Sequence, residues 1–180
     1  MKKDLLILFA VVLALAVLIG GSEFQSVEEY YLVHIDDIEE DSETVFISID
    51  CSDVLRHTDD LDPALREEGY IPADGVILAP TEYVLRPGDT VFDLLKRTCR
   101  HNRIQMEYQG ADKNAFGTVY VQGIGYLYEF SCGPQSGWIF TVNGKFPDRG
   151  CSDYKLSDGD KVEWKYSCSL DSVFSMNDEK

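Results

Sequence analysis

The run Leu5–Gly21 (LLILFAVVLALAVLIGG) carries no charged or hydrogen-bonding side chain, and it decides in which solvent the rest of the chain folds. A membrane-spanning helix needs roughly 17–25 apolar residues, whereas a signal-peptide core runs about 7–15. The only A-x-A, Ala14-Leu15-Ala16, lies inside the apolar stretch, and a cut near Gly21 or Ser22 is poorly specified. No cysteine follows Ile19-Gly20-Gly21 to take a lipid. Residues 1–21 are therefore expected to be an uncleaved transmembrane anchor; a signal peptide, releasing a secreted protein, is the alternative. Lys2 and Lys3 precede the run and acids follow it, which orients the remainder to the extracytoplasmic face of the cell membrane.

Residues 22–43 are polar and acidic, with Glu28, Glu29, Asp36, Asp37, Glu39, Glu40, Asp41 and Glu43 and no Lys or Arg. Like charges extend such a segment into a stalk. The competing reading makes Tyr30–Ile35 a strand on the domain's edge. Over the whole chain, 16 Lys and Arg face 32 Asp and Glu, a net charge of −16. That excess repels polyphosphates and excludes nucleic acid as a partner. With 44% hydrophobic and 12% aromatic residues the remainder must bury a core, and its length suits one domain.

Within that domain, alternation over Val45–Asp50 predicts a strand ending at Cys51. Asp62-Pro63 reads as N-cap and first residue of a helical connection that Gly69 stops. Val76–Leu85 is extended but interrupted by Pro80, and Pro87-Gly88 turns. Thr90 with Asp93 caps the main helix, whose apolar face is Val91, Leu94, Leu95, Thr98 and Cys99 and whose end falls near Asn102. Ile104–Tyr108, Val119–Phe130, Trp138–Val142 and Val162–Tyr166 are the remaining strands, with Asn143-Gly144 as the clearest hairpin turn. A sheet packed on one helix follows. Leu85–Val91 and Leu156–Val162 share the pattern L-x-x-G-D-x-V, which predicts two equivalent turns.

The five cysteines lack C-x-x-C spacing, so a zinc or redox motif is not expected, and outside the membrane disulfides are. Cys51 and Cys168 each follow a strand; if those strands are parallel neighbours the two sulfurs emerge at one sheet end. Cys132 and Cys151 bracket the Trp138–Phe146 hairpin and can clamp its base. Cys99 is left on the apolar helix face as a buried thiol, with a catalytic thiolate as the sharper alternative. His34, His57 and His101 form no spaced metal motif, and Asp59, Asp60 and Asp62 lack the glycine and distal glutamate of a calcium loop. No metal, cofactor or enzymatic activity is expected.

SIDCSDVL, DPALREEGYIPADGVIL, PGDTVFDLLKRTCRHNRIQMEY, GIGYLYEFSCGPQSGWIFTVNG and GCSDYKLSDGDKVEWKYSC, in this order, resemble the transcobalamin-like C-terminal domain family over about Thr44 to Leu170. The resemblance implies an α+β fold with a β-grasp-like mixed sheet packed on one main helix, here preceded by the N-terminal transmembrane helix. It divides the chain into 1–21 anchor or signal peptide, 22–43 stalk or linker, 44–170 transcobalamin-C-like domain and 171–180 polar tail. In the cobalamin carriers the similar domain closes over its ligand together with a helical domain. No such helical domain accompanies it in this sequence, so a corrinoid is expected only at a half-site or beside another protein.

The ligand-facing part of that resemblance is Gly137–Gly144. Trp138, Phe140 and Val142 share one strand face, which reads first as core. The sharper alternative is a shallow aromatic platform in which Trp138 and Phe140 join Tyr126, Tyr128 and the turn residue Asn143. The expected function is an extracytoplasmic, membrane-tethered binding or adhesion module for a protein, peptide or glycan. The alternatives are a corrinoid-type small-molecule receptor beside a transporter and a thiol enzyme using Cys99.

Overall fold

In the computed structural model, which describes Lys3 and residues 37–66, 69–115 and 117–169, the alternating segment forms β1 (Thr44–Asp50) and buries Val45, Ile47 and Ile49 completely. The apolar run Leu5–Gly21, the Tyr30–Ile35 segment with His34, and the tail 171–180 lie outside the described residues. Among the described residues no helix is long and apolar enough to cross a membrane. All elements named below lie in the unit Ile38–Lys180.

The remaining elements are β2 (Val76–Val84), the helix α1 (Val91–His101), β3 (Met106–Gln109), β4 (Tyr120–Ile124), β5 (Leu127–Tyr128), β6 (Gly137–Val142) and β7 (Lys161–Ser167). They form a mixed α+β fold with two sheets, ordered β2-β1-β7-β6 and β3-β4-β5. β1 and β7 are parallel neighbours in register Phe46 to Lys161 through Asp50 to Lys165, and antiparallel β2 and β6 flank them. Pro80 does not end β2: the strand lies at the sheet edge and its ladder to β1 shifts register between Ile47 and Ile49, places where a missing N–H is tolerated.

Two expectations change. Val119–Phe130 is not one strand, because Gly125 and Tyr126 both take positive φ, 62° and 67°, and fold the chain into a two-residue hairpin between β4 and β5. The single expected sheet is accordingly two. The helical connection after Cys51 is also shorter than expected, reduced to 3-10 turns at Ser52–Arg56 and Pro63–Leu65, the second capped by Asp62 on the Ala64 N–H.

Thr90 and Asp93 form the expected capping box, and Val91, Leu94, Leu95, Thr98 and Cys99 are all buried. Two further N–H groups of the first turn, those of Val91 and Phe92, donate to the carbonyls of Tyr154 and Cys151 at 3.1 and 2.9 Å. The two L-x-x-G-D-x-V segments make the same turn. Asp89 accepts from Arg86 N at 3.1 Å and Asp160 from Ser157 N at 2.9 Å, while Gly88 and Gly159 sit at φ 82° and 78°. Arg97 of α1 pairs with Asp89 at 2.9 Å, with both side chains nearly buried, and donates to Val84 O at 2.8 Å. That charge pair ties helix, turn and edge strand together.

The capping box yields a prediction. Thr90→Ala removes one acceptor and the anchor for Asp93, and is expected to lower the unfolding free energy by about 1 kcal/mol in urea denaturation.

Candidate functional site

Trp138 is core, and Phe140 packs half-buried against it. Period two puts them on the same face as Val142, and their cross-strand partners are Tyr166 and Trp164. The rings meet at 5.3 Å for Trp138 with Tyr166 and 5.2 Å for Phe140 with Trp164. Trp138 is 8% exposed and its Nε1 donates to Leu127 O at 2.8 Å, so its polar end is also used. Tyr166, just as deep, places its hydroxyl 2.7 Å from Tyr128 O and 2.9 Å from Ser136 Oγ. Burial pushes its phenol up to about 12, so it stays a neutral donor. Asn143 does form a tight turn with Gly144, but the turn pairs Val142 with Lys145 rather than leading straight into β7. Its side-chain amide donates to Asp160 at 2.7 Å and accepts from Lys161 N at 3.0 Å, a structural fastening.

Tyr126 and Tyr128 lie elsewhere, on the three-stranded sheet. Tyr128 lies over the backbone of Gly123, its cross-strand partner, where an added Cβ would meet the ring at 2.6 Å. Gln105 fastens both tyrosines: its amide accepts from Tyr126 N at 3.1 Å and donates to the Tyr128 hydroxyl at 2.7 Å. The Tyr128 hydroxyl in turn donates to Glu107 at 3.1 Å. Tyr126 is 55% exposed and meets the edge of Tyr70, 42% exposed, at a centroid distance of 6.1 Å. Phe130, on the other side of β5, is 63% exposed and also sits at positive φ, 65°. Tyr70, Gln105 and Phe130 were not singled out from the sequence; Gly125 before Tyr126 was the available signal, as half of a positive-φ hairpin turn.

A second concave surface lies on the outer face of β1, β7 and β6. The groove of about 510 Å³ is lined by Asp50, Ile139, Thr141, Glu163 and Lys165, with Asp53 and Arg56 at one end. Two of its acids are paired, Glu163 with Lys165 at 3.5 Å and Asp53 with Arg56 at 2.9 Å, and Asp50 accepts from the Ser52 N–H and hydroxyl.

All five cysteines are free thiols. The β1–β7 pairing brings Cys51 and Cys168 to the same sheet end, but the thiol beside Cys168 is that of Cys132, to which Cys168 donates a hydrogen bond. Cys132 passes its own S–H to His57 O at 3.6 Å, and Cys151 points at Val119 O, 3.4 Å away. Burial pushes the Cys99 thiol up to about 12, which leaves little thiolate at neutral pH for the enzyme alternative. Cys51 and Cys151 are held at about 12 chiefly by the same desolvation.

Among the described residues, Asp53, His57 and Cys168 are ligating side chains that the fold brings together, with a carboxylate oxygen, a ring nitrogen and a sulfur all within 4.8 Å of one another. Of the other histidines, His101 meets the edge of Tyr83 at 6.1 Å. Burial works against ionisation of Asp53, but the Cys168 N–H, Arg56 and His57 outweigh it and hold the carboxyl below its ordinary value.

A family model described as a domain of unknown function (DUF4430) matches residues 88–168. No curated protein matches the chain. Among solved structures, the chain is similar to a "putative metal binding protein" from Ruminococcus gnavus, at 11% identity and TM-score 0.40, over 69% of this chain and 96% of that one. It is also similar to haptocorrin in complex with Cbi, at 11% identity and TM-score 0.44, over 74% of this chain and 27% of that one.

Two predictions follow from these contacts. Tyr166→Phe leaves the Tyr128 carbonyl without its buried donor and the Ser136 hydroxyl without its phenol partner, and is expected to cost about 1–3 kcal/mol of stability with the fold retained. Because Asp53 titrates lower folded than unfolded, its stabilisation is complete above the unfolded value and lost as pH falls through the folded one. Asp53→Asn is therefore expected to be less stable than the parent at about pH 6 and indistinguishable from it near pH 2, as read by urea unfolding.

Proposed function

We propose that the chain is an extracytoplasmic, membrane-tethered binding module that engages a protein, peptide or glycan through the exposed aromatic residues around β5. The observation that carries this reading is the placement of Tyr126. A bulky side chain in the left-handed region costs on the order of 1–2 kcal/mol, and in a turn of this kind glycine is the least strained occupant of that position. The fold nevertheless holds a tyrosine there, more than half exposed, with Tyr70 edge-on beside it. Backbone strain of this sort collects at ligand-contacting positions, and a second strained, exposed aromatic, Phe130, lies at the other end of β5.

The polar rim fits a partner that presents both flat apolar faces and hydrogen-bonding groups. Gln105, Glu107 and the Tyr128 hydroxyl form one connected hydrogen-bonded set beside the exposed rings. The order β2-β1-β7-β6 with a parallel central pair and one helix supports the β-grasp-like, transcobalamin-like reading of the domain. Tethering rests on the apolar run Leu5–Gly21. The corrinoid-receptor alternative has less to stand on, since of the flat rings it would use Trp138 is buried in the core and Phe140 is stacked on Trp164.

The test is a screen of the full-length chain, in detergent, on peptide and glycan arrays, repeated with variants. Tyr126→Ala with Tyr70→Ala is expected to weaken a wild-type hit by roughly tenfold or more, with an unchanged circular dichroism spectrum. Tyr126→Gly is expected to raise the unfolding free energy by about 0.5–1 kcal/mol while losing the same binding. Undiminished binding in the double variant would remove the aromatic surface from the account.

A further inference from the structure

The Asp53, His57 and Cys168 cluster is distant in role from the aromatic surface and has its own chemistry. Asp53 lies on the 3-10 turn after β1, His57 directly follows that turn, and Cys168 is the first residue past β7. Tetrahedral coordination with bonds of roughly 2.0–2.3 Å sets ligand atoms about 3.3–3.8 Å apart. The widest pair here, at no more than 4.8 Å, has about 1 Å to close. The side chains have room to make that move, those of Asp53 and His57 being 24% and 40% exposed.

What a metal ion must displace is weakly held. Arg56 on Asp53 Oδ1 is 73% exposed, and such a surface pair contributes at most about 1 kcal/mol. The Nδ1 atom of His57 lies 3.7 Å from Asp53 Oδ1 and 3.0 Å from the Asp53 carbonyl, which it meets as an N–H donor. An oxygen, a nitrogen and a sulfur together suit a borderline-soft divalent ion, and not calcium or magnesium, which take oxygen alone. Asp60 adds negative charge that acts on both Cys132 and Cys168. A second sulfur, Cys132, is hydrogen-bonded to the first.

We propose that Asp53, His57 and Cys168 form a site for a zinc-type divalent cation, and that Cys132 gates it. With both thiols reduced, the incoming cation displaces the Cys168 proton to solvent and takes the thiolate, with solvent completing the set. When oxidised, the two S–H bonds break and one S–S bond forms. The two electrons and two protons pass to an incoming small-molecule or oxidoreductase disulfide, which leaves as two thiols. Cys168 then has no thiolate to offer, and the site closes.

The test uses the full-length chain in detergent, reduced, stripped with a chelator and titrated with cobalt(II). A thiolate-to-cobalt charge-transfer band is expected, displaced by zinc. Cys168→Ser should abolish it, and Asp53→Asn or His57→Ala should weaken cobalt binding by roughly tenfold or more. Cys99→Ser and Tyr126→Ala should leave the band as it is, so that failure here and failure of the aromatic surface are separable. Treatment with oxidised glutathione is expected to remove the band and to yield a Cys132–Cys168 peptide in a non-reducing map, whereas Cys132→Ser keeps its band through the same treatment. If Cys168→Ser does not retain the parent's circular dichroism, His57→Ala, on a half-exposed side chain, decides in its place. The proposal is overturned by a reduced chain that shows no band, by a band that survives in folded His57→Ala and Asp53→Asn at parental affinity, or by unchanged cobalt binding after the Cys132–Cys168 bond has been mapped.

Discussion

The parallel pairing of β1 with β7 is the constraint on which the rest of the domain depends. Parallel neighbours cannot be joined by a tight turn, and here the connection between them contains every other element. The first and last strands of the domain are thus neighbours in space across its longest separation in sequence. Beside the ladder, their meeting is fastened at one end by the Thr44 N–H on Asp158 Oδ1 at 2.8 Å and at the other by the Cys168 N–H on Asp53 Oδ2 at 2.9 Å. The ligating cluster inherits that condition: two of its members come from the start of the domain and one from its end. No such grouping survives in the unfolded chain, so anything bound there is coupled to folding.

Aromatic residues divide sharply between two tasks. Trp138, Tyr166, Phe140 and Trp164 pair across β6 and β7, where the hydrophobic gain from large rings is greatest; the polar ends of Trp138 and Tyr166 are used internally, while Trp164 Nε1 is buried without a hydrogen-bond partner among the described residues. Tyr126, Tyr70 and Phe130 remain in water, two of them at a cost in backbone strain. The same element, β5, connects the two groups, because the Leu127 and Tyr128 carbonyls receive the buried donors while its flanks present the exposed rings. The core thus holds rigid the segment from which the outer aromatics project.

Features that depend on a few neighbouring residues were legible in the sequence. Thr90 with Asp93, the apolar face of α1, the twin turns at Gly88 and Gly159, and the Asn143-Gly144 turn each follow from chemistry within a handful of positions. The second sheet was hidden because Gly125-Tyr126 does not look like a hairpin turn: tyrosine stands where glycine is the usual choice. Asn143-Gly144 reads as a turn and Val162–Tyr166 as the next strand, but the path between them depends on the contacts of Tyr154 and Cys151 with the helix start. For the candidate site, period two argued correctly that Trp138 and Phe140 share a face but does not say whether that face meets core or solvent. The neighbouring sulfurs of Cys132 and Cys168, and His57 beside them, rest on pairing across the whole domain, and no local spacing encodes them.

The parallel central pair also has a mechanical consequence. The chain enters β1 at Thr44 and leaves β7 at Ser167, at opposite ends of two strands that run the same way. Tension applied between those points slides one strand along the other, so the ladder's hydrogen bonds stretch together and must fail together. A hairpin pulled from its open end would lose them one at a time. Load transmitted through this domain meets its most force-resistant direction.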